Sequence, residues 1–330
     1  MNAQDLHRLP FDPSKIFDIQ TEMEFNELAI LTFHYQYEQN LVYREFCDFL
    51  KIDPKKIGDF RAIPFLPISF FKTHHISTQN KKAEVIFKSS GTNGQQRSQH
   101  HVLDLALYEQ SFMNGFKYFY GDIKDYIILG LLPSYLEQGS SSLVYMVDHL
   151  IKASKHVESG FFLKNFDELN VILEQTKNKK VLLIGVAYAL LDFGETFQTK
   201  HPNLTILETG GMKGRRKELI KSDLHRELNH LYPGAIIHSE YGMTELLSQA
   251  YSVGLKFRTP PWMKVLTRSY SDPLQLIEGK TGGINIVDLA NLHGCSFIAT
   301  QDLGRINESY FEVVGRFDEA DIRGCNLLVQ

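Results

Sequence analysis

Hydrophobic residues near the start of the chain recur every three or four positions. They fall in two groups, first Phe25, Leu28, Ala29, Leu31 and Tyr35, then Leu41, Val42, Phe46, Phe49 and Leu50. This spacing places them on one face of an α-helix and predicts a helical start to the chain. The apolar segment at residues 63–68 contains two prolines, which predicts a packed loop instead of a helix.

Further along, short apolar runs alternate with longer amphipathic stretches. The apolar runs predict strands at residues 84–88, 126–132, 180–186, 204–208 and 235–238. The amphipathic stretches predict helices at residues 104–120, 141–154, 188–197 and 217–231. This alternation is typical of an α/β fold with helices packed on a largely parallel sheet.

The pattern changes after Gly254. Short strand candidates follow at residues 262–267, 274–277, 283–288, 296–300 and 311–314, separated by glycines. They predict a small antiparallel β subdomain that packs on the α/β part. We therefore divide the chain into an α/β part (residues 1–254), a β subdomain (255–314) and a tail (315–330).

Composition and charge exclude several classes of protein. Of the 330 residues, 43% are apolar and 22% are charged, as in ordinary globular proteins. A net charge of −4 gives no global positive field for nucleic acid or an anionic membrane. The N-terminus does not resemble a signal peptide, and the longest apolar run, residues 181–191, is too short to span a bilayer. We expect a cytoplasmic protein that neither binds nucleic acid nor inserts into a membrane.

The three cysteines are Cys47, Cys295 and Cys325, and no two of them have C-x-x-C spacing. A small odd number of cysteines argues against a disulfide framework and against a zinc site. Cys47 lies among apolar residues of a predicted helix, so we expect it in the core. The surroundings of Cys295 leave its role open.

A polar loop follows the strand predicted at residues 84–88. Its glycines allow a tight turn that exposes backbone N–H groups, and its hydroxyls and one arginine add further donors. Together these groups suit phosphate oxygens, although a polar surface turn is the alternative. The loop has neither Walker A nor G-x-G-x-x-G spacing. The candidate phosphate-binding residues are Ser89, Ser90, Gly91, Thr92, Asn93, Gly94 and Arg97.

A second motif, SEYGMTE at residues 239–245, follows the strand predicted at residues 235–238. Open α/β sheets bind ligands at the carboxyl ends of their strands. Glu245 could hold Mg²⁺, which prefers oxygen ligands and substrate phosphates. Tyr241 offers a ring face for a base. The alternative is a helix start, with Thr244 and Glu245 near its N-cap.

Two charged motifs lie near the end of the chain, TQDLGR at residues 300–305 and GRFDEADIRG at residues 315–324. Taken singly, each predicts a charged turn. The carboxylate of Asp302 could accept hydrogen bonds from two ribose hydroxyls, and Arg316 could hold ribose or phosphate.

In this order the four motifs resemble those of the adenylate-forming superfamily of acyl-CoA synthetases and peptide-synthetase adenylation domains. The corresponding elements there read S-G-T-T-G-x-P-K, Y-G-x-T-E, T-G-D and G-R-x-D-x-x-I-K-x-x-G. Three further segments look like the LuxE-type acyl-protein synthetase family, a resemblance that covers essentially the whole chain. These segments are PFLPISFFKTH (64–74), ETGGMKGRR (208–216) and RGCNLLV (323–329).

The resemblance implies the fold of an adenylate-forming N-terminal domain and an ATP-dependent ligase that uses Mg²⁺. Such an enzyme activates a fatty acid to an acyl-adenylate, captures the acyl group on a cysteine near its C-terminus and delivers it to an acyl reductase. Cys325 matches that cysteine, and an acyl-carrier protein is an alternative partner. An extended tail from Asp318 to Cys325 would reach about 24 Å, enough to approach the α-phosphate.

The resemblance also implies roles for single residues. Gly210 and Gly211 would let the backbone approach the adenine, with Tyr241 and Gly242 beside it. Thr244 would lie near the α-phosphate and Glu245 would bind Mg²⁺. Asp302 and Arg316 would hold the ribose.

The chain departs from the superfamily pattern at Asn93, Gln96 and Arg97 of the phosphate loop. It also stops soon after the fourth motif, so we expect the mobile C-terminal domain and its catalytic lysine to be absent. The basic residues Lys213, Arg215 and Arg216 are candidates to replace that lysine. A basic loop capping the helix at residues 217–231 is the alternative.

Two other functions remain open at this stage. The chain could be an acyl- or aryl-CoA ligase that passes the acyl group to free coenzyme A. It could also be a non-catalytic nucleotide-binding subunit of a partner enzyme.

Overall fold

The computed structural model describes residues 9–79, 81–90, 96–133, 139–210, 216–217 and 219–317. The helices are α1 (Glu22–Gln39), α2 (Leu41–Phe49), α3 (Phe70–Thr73), α4 (Leu105–Tyr120), α5 (Ser142–Ser154), α6 (Phe166–Gln175), α7 (Ala187–Phe197) and α8 (Lys221–Leu231). Short 3-10 helices lie at Pro13–Asp18, Pro54–Lys56, Phe60–Ala62 and Ile123–Asp125.

The first eight strands in chain order are β1 (Leu66–Pro67), β2 (Val85–Lys88), β3 (Gln99–Val102), β4 (Tyr126–Leu131), β5 (Gly160–Phe161), β6 (Lys180–Val186), β7 (Leu204–Thr209) and β8 (Ile236–Tyr241). The second half continues with β9 (Ala250–Val253), β10 (Lys256–Arg258), β11 (Met263–Arg268), β12 (Leu276–Ile277), β13 (Gly282–Asp288), β14 (Phe297–Asn307) and β15 (Tyr310–Arg316).

One mixed sheet joins most of these strands in the order β12-β11-β13-β14-β15-β10-β9-β8-β7-β6-β4-β5. The five strands at the end of this order, from β8 to β5, pair in parallel, and β9 to β15 pair antiparallel. The hairpin of β2 and β3 is a separate two-stranded sheet. This arrangement confirms the predicted α/β fold class. The domain boundaries after residues 254 and 314 stay a prediction.

The central parallel strands are buried on both faces. In β6 the six residues from Val181 to Val186 are all buried, as expected where helices cover both sides of a parallel sheet. Phe112 and Phe116 on α4 pack into the same core. None of the helices in the described ranges combines the length and the apolar character needed to traverse a bilayer.

Most predicted elements have the expected bounds because local signals define them. The strand at Lys180–Val186 matches the prediction at both ends. The side chains of Asp104 and Ser141 accept hydrogen bonds from the backbone of the first turns of α4 and α5, which fixes where these helices begin.

Several predicted strands are longer than expected, and two of the extensions carry residues of the polar motifs. The strand predicted at residues 235–238 continues as β8 to Tyr241, and the strand predicted at residues 296–300 continues as β14 to Asn307. The prediction of a turn at residues 300–305 is therefore wrong. The polar residues Glu240 and Asp302 are held in strands because the neighbouring strands β9 and β15 supply their backbone partners.

Candidate active site

The four sequence motifs converge on one cleft. A cavity of about 570 Å³ lies at the carboxyl ends of β7 and β8 and extends to the paired strands β14 and β15. Its lining includes every predicted site residue that the structure describes: Ser89, Ser90, Arg97, Gly210, Tyr241, Gly242, Thr244, Glu245, Asp302 and Arg316. The other predicted site positions lie outside the described residues, namely Gly91, Thr92, Asn93, Gly94, Gly211 and Cys325.

Parallel pairing explains why the second motif meets the segment that follows β7. The carboxyl ends of β7 and β8 lie at the same edge of the sheet, so Gly210 and Tyr241 both reach the cleft. Gly210 has a φ of 70°, in the left-handed region that favours glycine. The close approach of a ligand to the backbone that we predicted at Gly210 is compatible with this geometry.

Asp302 lies at the far side of the cleft, between two partners from different motifs. The hydroxyl of Tyr241 donates a hydrogen bond of 2.8 Å to Oδ2 of Asp302. Asp302 and Arg316 face each other across β14 and β15, and Nε of Arg316 is 3.8 Å from Oδ1. Burial raises the pKa of Asp302, and these two partners oppose that rise. Oδ2 therefore has a hydrogen-bond donor, and Oδ1 has a cation beside it.

The Thr244–Glu245 segment is a turn, so the alternative prediction of a helix start is wrong. Two buried side chains hold its backbone. Nδ1 of His100 donates to the carbonyl oxygen of Thr244 at 2.9 Å, and the side-chain amide of Asn291 donates to the carbonyl oxygen of Glu245 at 2.8 Å. Burial lowers the pKa of His100 to about 4, which keeps the ring neutral near pH 7.

Glu245 itself is 5% exposed at the wall of the cleft. Burial raises the pKa of this carboxyl group, whereas a hydrogen bond from Ser98 and the charges of Arg316 and Lys72 lower it. Within the described ranges, no cluster of three or more His, Cys, Asp and Glu side chains is arranged to hold a metal ion. A site with one protein carboxylate suits Mg²⁺ only if substrate phosphates and water supply most of the other ligands.

A second cavity, of about 420 Å³, adjoins the cleft between β8 and the start of α5. The two cavities share lining residues, among them Ser89, Gly242 and Thr244. Glu240 lines both and therefore lies at their junction. The sequence analysis gave Glu240 no role, although it stands in the second motif directly before Tyr241.

Two further charged groups at the cleft, and the buried partner of one of them, were missed. Lys72 lines it from α3, and Lys221 lines it from the first turn of α8. Nζ of Lys221 donates to both carboxylate oxygens of the buried Glu208, at 2.8 and 3.2 Å. Lys72 and Glu208 both belong to segments that carried the family resemblance, which was the signal available in the sequence.

The structure does not place Arg216, one of the three candidates to replace the superfamily's lysine, at the cleft. Its guanidinium group pairs with two carboxylates of α7, at 2.8 Å to Asp192 and 2.6 Å to Glu195, and it lines neither cavity. Lys213 and Arg215 lie outside the described residues.

Cys47 and Cys295 are fully buried in the core, which confirms the prediction for Cys47 and answers the question for Cys295. Burial raises the pKa of Cys47 to about 12 and also raises the pKa of Cys295. Neither thiol can therefore supply a reactive thiolate near neutral pH.

Comparisons with known proteins agree with this geometry. Residues 8–330 match the profile of the family described as acyl-protein synthetase, LuxE. A comparison with curated proteins found no match.

Several solved structures have a similar fold. A 2-hydroxyisobutyryl-CoA ligase in complex with 2-HIB-AMP and CoA has a TM-score of 0.65 at 12% identity, over 90% of this chain and 75% of that chain. ATP-bound MatB from Rhodopseudomonas palustris has a TM-score of 0.53 at 19% identity, over 72% and 49%. A luciferase-like enzyme from the nonluminescent Zophobas morio mealworm has a TM-score of 0.50 at 15% identity, over 81% and 62%.

These TM-scores establish the likeness of the fold. The family profile adds what the fold alone does not, because it covers nearly the whole chain. The chain therefore belongs to the acyl-protein synthetase (LuxE) family.

Proposed function

We propose that the cleft joins a carboxylic acid to ATP as an acyl-adenylate and that the acyl group then moves to Cys325 as a thioester. One observation carries the proposal: residues from four motifs far apart in sequence line a single cavity. Family membership supports the same chemistry, as does the likeness to structures that contain ATP or an acyl-AMP.

In the first step, a carboxylate oxygen of the acid attacks the α-phosphorus of ATP. A new P–O bond forms, the bond from the α-phosphorus to the bridging oxygen breaks, and pyrophosphate leaves. Ser89, Ser90 and Arg97 would bind phosphate oxygens, with Thr244 beside the α-phosphate. Glu245 would hold Mg²⁺, which when bound neutralises phosphate charge. The protein's main contribution is alignment and charge neutralisation.

The nucleoside would lie toward β14 and β15. Oδ1 of Asp302 would accept from a ribose hydroxyl, with Arg316 next to it. Tyr241 would cover the adenine with its ring while its hydroxyl keeps Asp302 in place. Gly210 would leave room for the base.

In the second step, the thiolate of Cys325 attacks the acyl carbonyl carbon of the adenylate. A C–S bond forms, the C–O bond to the phosphate breaks, AMP leaves, and the thiol proton passes to solvent. A partner, either an acyl reductase or an acyl-carrier protein, would then take the acyl group. The family resemblance implies a fatty acid as the substrate, so long-chain acids belong in any test panel.

The test combines two measurements on the full chain. Acid-dependent ATP–pyrophosphate exchange reports the first step, and intact mass with hydroxylamine sensitivity reports the thioester. We expect Cys325→Ser to retain exchange and lose the adduct. The retained exchange is then the control that this variant still performs the first step. An adduct that survives Cys325→Ser would refute the cysteine assignment. Full acyl-CoA formation by Cys325→Ser with free coenzyme A would support a CoA ligase instead.

A further inference from the structure

The cavity of about 420 Å³ is the place for the body of the acid, an assignment that rests on the proposed function. The carboxylate of the acid must reach the α-phosphate near Thr244, and Thr244 lines both this cavity and the cleft. The rest of the acid must then occupy space continuous with that point. The volume is within the usual range for small-molecule pockets.

Polar groups make up much of the described lining of this acid pocket. Those from β7, β8, the start of α5 and the segment between β8 and β9 include Thr209, Glu240, Ser140, Ser141, Ser142 and Gln249. Two cations, Lys88 and Arg97, also line the pocket beside the phosphate loop. The apolar wall includes Val186, Leu143, Met146 and Met243.

Glu240 is the one carboxylate among the described lining residues of the acid pocket. The hydroxyl of Thr209 donates to Oε2 at 2.5 Å. Oε1 lies beside Gly242, so close that a Cβ at position 242 would be 2.2 Å from it. A glycine at position 242 therefore leaves space for this oxygen, on a side chain that lines both cavities.

Because of its surroundings, removing water from the carboxyl group of Glu240 is energetically unfavourable. Burial and the nearby charge of Glu208 raise the pKa of Glu240 to about 7, although Thr209 and Lys221 oppose the rise. Lys221 is already paired with Glu208, so its ammonium group is committed to that carboxylate.

An alkyl chain laid across Oε1 would remove water from this oxygen without offering a donor. A buried polar group left without a hydrogen bond costs about 1–3 kcal/mol, and more if it is charged. A hydroxyl or ammonium group on the substrate would supply the missing donor.

We propose that the acid pocket selects a carboxylic acid that carries a hydrogen-bond donor, a hydroxyl or an ammonium group, close to its carboxyl end, and that Oε1 of Glu240 receives this donor. The position of Glu240 at the junction places the donor near the reacting carboxylate. The proposal makes Glu240 a determinant of specificity and gives it no part in the bond-making steps.

The test uses acids of one carbon skeleton: butyrate, 3-hydroxybutyrate and 3-aminobutyrate, with myristate as the long-chain arm. Pyrophosphate exchange is measured for wild type and for Glu240→Leu, and Glu174→Leu on the exposed face of α6 is the matched control. We expect kcat/KM of wild type to favour one donor-bearing acid over butyrate by about 10-fold or more, because a site built to bind a donor rejects the analogue that lacks it. Glu240→Leu should abolish or reverse this preference.

Glu240→Gln distinguishes a hydroxyl donor from an ammonium donor. It also provides a second variant in case Glu240→Leu does not fold. The amide keeps the shape and an acceptor oxygen but removes the charge, so it should retain activity toward the hydroxy acid and lose it toward the amino acid. Wild-type preference for butyrate or myristate, unchanged in Glu240→Leu, would overturn the proposal.

A second measurement distinguishes failure of the pocket assignment from failure of the proposed function. Thermal stabilisation by each acid in the presence of ATP reports binding without chemistry. Stabilisation that depends on the donor and is lost in Glu240→Leu, with no exchange for any acid, would keep the pocket and overturn the adenylation. Equal or absent stabilisation by all the acids would overturn the pocket assignment.

Discussion

Two carboxyl groups of the cleft each accept a hydrogen bond from a neighbouring hydroxyl on one of their two oxygens. Tyr241 occupies Oδ2 of Asp302, and Thr209 occupies Oε2 of Glu240. Each carboxyl group is thereby held in one orientation at the wall of the cleft. Such preorganisation reduces the entropy lost when a ligand binds.

Replacing Asp302 with alanine should weaken ATP binding. A hydrogen bond to a charged group contributes about 1.5–3 kcal/mol, so the KM for ATP in the exchange assay should rise by roughly 10-fold to 100-fold. Asp302→Asn is the matched control, because it keeps an acceptor oxygen and should lose less affinity. An unchanged KM in Asp302→Ala would exclude a role of this carboxylate in holding the ribose.

The raised pKa of Glu240 also predicts a pH dependence of stability. A carboxyl group with a pKa of about 7 in the folded protein and 4.5 in the unfolded chain binds more protons when folded between these values. Its contribution to stability is therefore full below about pH 4.5 and is lost as the pH rises through about 7.

Chemical denaturation of wild type and Glu240→Gln from pH 4.5 to 8 measures this effect. The free energy of unfolding of the variant, relative to wild type, should increase as the pH rises across that range. A difference that is constant with pH would show that Glu240 titrates normally in the fold.

At the level of elements, the turn after β8 depends on residues that are distant in sequence. His100 from β3 and Asn291 from the segment after β13 hold the carbonyl groups of Thr244 and Glu245. The two contacts join the separate hairpin and the antiparallel strands to this turn. The turn is thus fixed by tertiary structure and not by a local helix cap.

Asn291→Ala should disturb this turn. Its amide donates to the carbonyl oxygens of Glu245 and Cys295, and removing it leaves two buried acceptors without a donor. We expect the free energy of unfolding to fall by about 1–3 kcal/mol for each such group, and kcat for exchange to fall with it. Asn203→Ala, on an exposed surface, is the control and should change neither quantity. Exchange at the wild-type rate in Asn291→Ala would show that the turn does not depend on the hydrogen bond from Asn291.

The same contrast between local and distant contacts explains what the sequence could predict. The bounds of Lys180–Val186 follow from a continuous apolar run. The strand at residues 300–305 was not predicted, because its polar side chains line a cleft and its pairing with β15 cannot be read locally. The resemblance of the motifs identified the cleft residues. The position of Glu240 between two cavities could be recognised only in the structure.

At the scale of the whole molecule, the parallel and antiparallel strands form one sheet, and the cleft lies where the parallel strands end. Helix α8 is tied to this edge by Lys221, whose partner Glu208 is fully buried on β7. The pair holds α8 against β7, the strand that Gly210 follows. Loss of the ammonium group would leave an uncompensated charge inside the protein.

Lys221→Met should therefore destabilise the fold. Breaking a buried ion pair by removing one partner costs about 3–5 kcal/mol, and the partial exposure of Lys221 places the expected loss at or below the lower end of that range. The double variant Lys221→Met/Glu208→Gln should regain part of it. Thermal or urea unfolding provides the measurement, and a Lys221→Met protein as stable as wild type would show that the pair contributes nothing.

The central claim is that four separated motifs bind one acyl-adenylate. A crystal structure with a non-hydrolysable acyl-sulfamoyl adenosine tests it most directly. We predict the sulfamate near Ser89 and Thr244, the ribose on Asp302, and the acyl group beside Glu240. A bound analogue that contacts none of these residues, or that lies outside the shared cleft, would contradict the account.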